Sequence, residues 1–316
     1  MEFAPRIEET VGRRAGAMEP SPARCPACLA GHVEDLVEVP DHEYGLDQRG
    51  CYSCCGACRT LYQSPMPGED QLASYYRGDY HSLNDGGVLM SLRNQLRARR
   101  LRPILGGSSG AVLDFGCGNG SFIKSAANSY PDVEFFGFEI GERRKVLRPG
   151  KRVTIVQGRI EDLLDVLPRC QAVLMNHVIE HLPDPLATVS ALADKLSPGG
   201  WMDGQTPNAA SLEHRIFGRR WSGFHAPRHT VVFSTAGLKA LLERAGFEAV
   251  HIRGAFNPAG YAVSFASLSH GDRKGTIQRH GWKWLFFLSA AAVALPLDLS
   301  SGAPGIVDFR ARKKAR

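Results

Sequence analysis

Six of the eight cysteines in this 316-residue chain fall between Cys25 and Cys58, as CPAC and, after a gap, CYSCCGAC. In a reducing compartment such pairs hold metal more often than they form disulfides. Two thiols at i and i+3 across a tight turn can aim at one ion, and two such pairs supply the four soft donors of a tetrahedral zinc site. Cys25 and Cys28 make the first pair; Cys51 with Cys54 and Cys55 with Cys58 both have the spacing of the second. Cys55 and Cys58 are preferred, because LYQSPMP follows them directly, as the closing strand of a ribbon would. Four thiolates leave no open coordination position, so the zinc would be structural. A flexible cysteine-rich arm is the plainer alternative.

A second stretch with chemical meaning is VLDFGCGNGSF, residues 112 to 122: a buried-strand pattern, three glycines, then the start of an apolar helix. Gly116, Gly118 and Gly120 let the backbone pass close to a ligand and let the helix pack on the strand. The spacing is GxGxG, weak on its own, and Glu139 strengthens it. An acid about 20 residues on, ending the next strand, is placed to hold ribose hydroxyls. GRIED, residues 158 to 162, ends a third strand and can present Glu161 or Asp162 to an adenine amino group. Further on, His177, Glu180 and His181 have the spacing to share one face. They could bind a divalent ion, but lining a pocket and orienting an acceptor is the favoured reading. His225 and His229 in WSGFHAPRHTVVFS stand just past another strand and are candidate bases.

The elements that must position these groups follow from periodicity. AVLDF, VEFFGFE, RVTIVQG, AVLMNHV, WMDGQTPN, EAVHIRG and GIVDFRARK read as strands; SFIKSAANSY, PLATVSALADKLSPGG and TAGLKALLERAGF read as helices. Strand–helix alternation with nearly continuous apolar strands predicts an α/β fold: a doubly wound, seven-stranded, mostly parallel sheet that binds ligands at its carboxyl edge. Four units are expected: a disordered arm over residues 1–20, a zinc-ribbon-like module over 21–68, a helical linker or cap over 69–105, and the main domain over 106–316. GGSSG at 106–110 marks the last boundary. Composition adds little to this. The net charge of +6 is largely the tail RARKKAR at 310–316, which carries five positive charges, so no nucleic-acid footprint is established. The start has no apolar core like a signal peptide's, and no run reaches the roughly 20 residues that span a bilayer, so a cytoplasmic protein is expected. An apolar insertion at about 260–304 contains HGWKWLFFLSAAAVALPLDL. Residues 282–297 read either as a peripheral membrane or lipid-linked-substrate contact or as a buried lid or dimer helix; the oligomeric state is left open.

DFGCGNG with Glu139, NHVIEHLPDP at 176–185 and LSPGGWMDGQTPN at 196–208 resemble the class I S-adenosylmethionine-dependent methyltransferases over roughly residues 105 to 256 and the last strand. The resemblance implies S-adenosylmethionine as cofactor, held by Asp114, Gly116, Cys117, Gly118, Glu139, Ile140, Glu161 or Asp162, Asn176 and His177. Cys117 and Cys170 themselves are assigned to packing. CxxC, a gap, CxxC, a Pro-x-Pro and LASYYRGDY are similar to the amino-terminal zinc modules of small-molecule methyltransferases, including nucleotide-sugar C-methyltransferases, although Arg59 stands where that pattern has glycine. In that family a histidine in an x-H-x-x-x-F-S setting is the base, a position His229 matches, while Arg228 replaces the acid before it. Tyr76, His181 and His225 complete the candidate catalytic set. The implied activity is methyl transfer to a hydroxyl or activated carbon of a small metabolite, with sugar or glycolipid precursors or secondary metabolites as favoured acceptors. An RNA methyltransferase and a noncatalytic module that keeps the fold are the alternatives.

Overall fold

Two CxxC turns, at residues 25–28 and 55–58, flank the first strands of the chain. The computed structural model describes residues 24–76, 88–105, 107, 109–141, 143–269 and 283–315. The expected arm at 1–20, together with Tyr80 and Trp282, lies outside them. Strands β1 (Val33–Pro40), β2 (Arg49–Cys55) and β3 (Leu61–Gln63) form an antiparallel sheet. Three helices follow: α1 (Glu69–Ser74), α2 (Val88–Arg99) and α3 (Arg102–Leu105).

The main sheet begins with β4 (Gly110–Phe115), whose residues 111 to 115 are all buried, as a strand covered on both faces requires. It continues with α4 (Ser121–Ser129), β5 (Val133–Ile140), β6 (Lys145–Gly150), β7 (Val153–Gly158), α5 (Ile160–Val166), β8 (Cys170–Asn176), a 3-10 turn at Ile179–His181, α6 (Pro185–Lys195) and β9 (Leu196–Pro207). The rest of the chain supplies α7 (Leu212–Phe217), β10 (Val231–Val232), α8 (Thr235–Arg244), β11 (Phe247–Gly254), α9 (Pro258–Ser269), α10 (Lys283–Ser300) and β12 (Ile306–Lys313). Helix α6 starts where Asp184 accepts the Ala187 amide hydrogen and Pro185 opens the first turn. Ser234 caps α8 in the same way, accepting from Gly237.

The sheet order is β11-β12-β9-β8-β4-β5-β7-β6. The five strands from β9 to β7 are parallel, while β12 runs antiparallel between β9 and β11. Seven of these strands are the ones read from the sequence. The eighth, β6, is an antiparallel edge strand against β7. Its residues KVLRPG are almost all exposed, so no apolar pattern announced it.

The two sheets are not independent. Strand β10, from the carboxyl half of the chain, pairs with β3, making the order of the small sheet β1-β2-β3-β10. Cys25, Cys55, Cys58 and Tyr62 share one buried cluster with Val231, Phe233, Leu238 and the interior of the main sheet. A separate cluster joins Val39, Tyr52 and Leu61 to Trp221, Phe224 and Ala226 and to Tyr261, Ala262, Phe287 and Ala291 of α9 and α10. The apolar insertion is therefore a packed pair of helices. Among the described residues no helix is long and apolar enough to cross a membrane.

Candidate active site

Strands β7 and β5 lie on one side of β4, and β8 and β9 on the other, so the chain reverses its order between β4 and β8 and opens a crevice at their carboxyl ends. Gly116, Gly118 and Glu139 of the predicted cofactor set meet there. Gly116 has φ 80°, and a Cβ on it would stand 2.4 Å from Val178 Cγ2, so the loop turns where only glycine fits against the 176–181 segment. The Gly118 amide donates to Glu139 Oε2 at 2.6 Å, fixing the carboxylate over the loop. Burial raises Glu139 above the ordinary glutamate range, which favours a site where the carboxylate is met by hydrogen-bond donors. Ile140, next to it, is 79% exposed and offers an apolar surface at the strand end. A carboxylate for ribose hydroxyls, a bare backbone for the methionyl part and an apolar platform for a base fit S-adenosylmethionine.

Other members of the predicted set contribute differently. Asp114 is buried beneath the loop, and burial pushes it up to about 7. The Cys117 thiol turns inward over Gly137, where an added Cβ would lie 2.7 Å from Cys117 Sγ, so this residue can offer the cofactor only its backbone. Asp162 accepts the Arg159 amide hydrogen at 2.9 Å, forming the capping box of α5, and Arg144 lies 3.7 Å from its other oxygen. Glu161 points outward, 3.7 Å from Arg159. Asn176 ends β8, and His177 follows in the left-handed region at φ 55°, its Nε2 2.9 Å from Gln205 Oε1.

Beside this cradle stands a cluster of imidazoles. Tyr76 Oη is 2.6 Å from His181 Nδ1, and the rings of His181 and His229 meet edge to face at 4.6 Å. The His225 ring centroid is 5.0 Å from that of His229. At the centre Glu180 is fully buried: its Oε2 accepts from Thr206 Oγ1 at 2.9 Å and its Oε1 lies 3.3 Å from His177 Nδ1. Burial pushes Glu180 upward, but the hydrogen bond and charge of His177 outweigh it, so its carboxyl titrates below the ordinary range. Burial pushes His181 down to about 4 and holds His229 well below the usual imidazole range, so both rings are neutral near pH 7. Only Tyr76 among the candidate catalytic residues is exposed, at 37%. His229 is 6% exposed, and its Nδ1 donates to Gly223 O at 2.8 Å.

The amino-terminal sheet holds this cluster in place, which the sequence did not reveal. Gln63 Nε2 donates to Pro227 O at 2.6 Å and to His229 O at 2.8 Å, and Tyr52 Oη donates to His229 O at 2.8 Å. His225 Nδ1 lies 2.9 Å from Glu43 Oε2. Arg228, which replaces an acid in the pattern of similar enzymes, is buried; it pairs with Asp41 at 3.1 Å and donates to Tyr75 O. The acids of PDHEYG, directly after the strand VEDLVEVP, were the available signal for these partners.

The four thiols of Cys25, Cys28, Cys55 and Cys58 lie within 4.8 Å of one another. The sulfurs of Cys25 and Cys58 are 3.7 Å apart, those of Cys28 and Cys55 3.6 Å. A zinc–sulfur distance of about 2.3 Å sets tetrahedral sulfurs roughly 3.8 Å apart, so the donors fit that ion. Cys51 and Cys54 fall within β2, where residues three apart point to opposite faces and cannot share it.

An open sheet with its switch point at β4, a glycine loop and an acid ending the next strand define the class I S-adenosylmethionine-dependent methyltransferase fold. The chain belongs to the methyltransferase domain family, whose model matches residues 89–252. It is 30% identical over 189 residues to a ubiquinone biosynthesis O-methyltransferase of Bordetella bronchiseptica, covering 55% of this chain and 78% of that one. A protein of the same name from Nitrosospira multiformis is 34% identical over 104 residues, 31% of this chain and 43% of the relative, so the chain spans less than half of that relative's length. Among solved structures, a SAM-dependent methyltransferase from Archaeoglobus fulgidus aligns with a TM-score of 0.45 at 21% identity, over 70% of this chain and 94% of that one.

Proposed function

We propose that the protein transfers a methyl group from S-adenosylmethionine to a small metabolite, with a hydroxyl as the first candidate acceptor and an activated carbon as the second. The observation that carries this reading is the Tyr76–His181 pair at 2.6 Å, with His181 three residues past the Val178 that packs on Gly116 and with Tyr76 exposed. When bound, the cofactor supplies an electrophilic methyl on a sulfonium sulfur. The chain's own residues then have two tasks, alignment of the acceptor and removal of its proton. Glu139 and the loop amides hold the cofactor end. Tyr76 Oη takes the acceptor's proton as it passes its own to His181 Nδ1, 2.6 Å away, while His225 and the buried His229 shape the wall behind it. The O-methyltransferase names of the relatives support oxygen as the acceptor atom.

Two further parts belong to this reading. Cys25, Cys28, Cys55 and Cys58 hold a structural zinc, supported by the fit of their sulfur separations. The exposed apolar residues of α10, Leu285, Phe286, Val293 and Leu297, suit an acceptor that is lipid-linked or presented at a lipid surface.

The test is calorimetric titration with S-adenosylmethionine and its demethylated product, followed by transfer of a labelled methyl group to a panel of hydroxylated, nucleotide-sugar and lipid-linked acceptors. Tyr76→Phe is expected to leave cofactor affinity within twofold and to lower kcat at least a hundredfold. Equal turnover by wild type and Tyr76→Phe would remove Tyr76 from the proton path, and no cofactor binding by the wild type would sink the enzymatic reading.

A further inference from the structure

Arg228 is a guanidinium almost without access to water: it is 2% exposed, and its partner Asp41, 3.1 Å away, is 2% exposed as well. A buried ion pair gives up the hydration of both charges and returns little net stability, so such a pair matters more for the groups it fixes than for the energy it adds. Asp41 is itself fixed first. It accepts the amide hydrogens of Glu43 and Tyr44 at 2.9 Å each and that of Leu46 at 3.2 Å, which ties its carboxylate to its own loop. The guanidinium carbon in turn lies 4.3 Å from the centre of the Tyr44 ring, a cation–π contact on one of its faces.

Held on those sides, Arg228 reaches both members of the Tyr76–His181 pair. Its Nε donates to Tyr75 O at 3.0 Å. Helix α1 ends at Ser74, and carbonyls at the end of a helix have no partner within it, so Arg228 supplies one for Tyr75. Tyr76 is the next residue, and fixing the Tyr75 carbonyl fixes the peptide plane from which the Tyr76 side chain starts. At its other end, the Arg228 carbonyl oxygen lies 3.2 Å from His181 Nδ1, the same atom that faces Tyr76 Oη at 2.6 Å. Before transfer Nδ1 offers its lone pair to the Tyr76 hydroxyl. After transfer Nδ1 carries the hydrogen, and the Arg228 carbonyl is placed to accept it in a hydrogen bond.

We infer that Arg228, held by Asp41, is a positioning residue for the methyl transfer: its guanidinium sets Tyr76 Oη against His181 Nδ1, and its carbonyl steadies the imidazolium that the proton transfer leaves. The inference rests on the proton path proposed above.

The test reads the pair directly and needs no acceptor. The full chain is made with histidine labelled on its ring nitrogens, and the His181 Nδ1 signal, identified by its loss in His181→Ala, is followed by nuclear magnetic resonance at neutral pH. Tyr76→Phe removes the hydroxyl and is expected to move that signal. Arg228→Lys keeps a positive charge opposite Asp41 but replaces a rigid fork by one flexible ammonium, so it is expected to move the signal in the same direction by at least half as much. Affinity for S-adenosylmethionine within twofold of the wild type shows that a variant is folded. If Arg228→Lys does not fold, Arg228→Met combined with Asp41→Asn, which removes both buried charges, carries the comparison. A wild-type signal in the folded Arg228 variant, beside a moved one in Tyr76→Phe, overturns the inference and leaves the proton path standing. An unmoved signal in Tyr76→Phe removes the pair itself, and the inference and the proton path fall together.

Discussion

Glu213 shows at the level of one residue how burial turns into pH dependence. It is 1% exposed, accepts a hydrogen bond from Ser264 Oγ at 2.9 Å, and is pushed up to about 7 chiefly by burial. A carboxyl whose folded pKa exceeds its unfolded value of 4.5 binds its proton more tightly when native. Its contribution is therefore fully present below about pH 4.5 and is lost as pH rises through about 7. Glu213→Gln removes the ionisation and keeps the shape. The melting temperature of the variant minus that of the wild type is thus expected to grow between pH 5 and pH 8, measured by differential scanning calorimetry; a constant difference would mean that Glu213 titrates normally. Buried His181 and His229, held below their ordinary range, act with the opposite sign below pH 6.5, and the subtraction removes them. Residues differ in how legible they were. The place of Glu139 at the glycine loop could be read because it depends on its position after a strand, a feature of linear order. Asp162 could not, because its capping bond to Arg159 is a local geometry competing with the ligand role that the spacing suggests. Nor could the partnership of His225 with Glu43, 182 residues apart in the chain.

Among the elements, the glycine loop between β4 and α4 is where sequence and structure meet most closely. Gly116 sits in the left-handed region at φ 80°, and a methyl group there would run into Val178. Gly116→Ala has to pay for both the backbone conformation and the contact, together about 1 to 3 kcal/mol. The expected outcome is a melting temperature lower by roughly 2 to 6 °C, with cofactor affinity reduced at least tenfold because the loop is displaced from Glu139. An unchanged affinity by calorimetry would place the cofactor away from this loop. The strands on either side were legible for a related reason: their continuous burial demands apolar residues at every position, whereas the solvent-facing edge strand β6 demands none. The two-residue strand β10 escaped notice because its Val231 and Val232 look like any apolar pair, and its pairing with β3 is a long-range fact.

At the scale of the whole molecule, the thiol site and the imidazole cluster are parts of one construction. The Ser234 hydroxyl, which caps α8, also donates to Cys58 O, and Ser234 N donates to Thr60 Oγ1. From the same sheet, Gln63 and Tyr52 hold the carbonyls of Pro227 and His229, and Asp41 neutralises the buried Arg228. The sequence suggested a module followed by a linker, and in the fold the small sheet of that module takes β10 as its last strand. Removing the metal proposed at the four thiols is then expected to act at a distance in the chain but locally in space. Once the four thiolates are no longer drawn together, β2 and β3 lose their anchor and the 223–234 loop loses its hydrogen-bond donors. Metal released by a thiol-modifying reagent in the presence of a chelator should be followed by faster amide hydrogen exchange both in residues 24–63 and in residues 223–234. The β4 and β8 amides, deep in the parallel sheet, should keep their protection, and S-adenosylmethionine binding should survive within a few fold. Faster exchange confined to residues 24–63 would show that the loop is held by the main domain alone. Loss of protection throughout would show that the small sheet is needed for the fold itself, not for the placement of Tyr76, His181, His225 and His229.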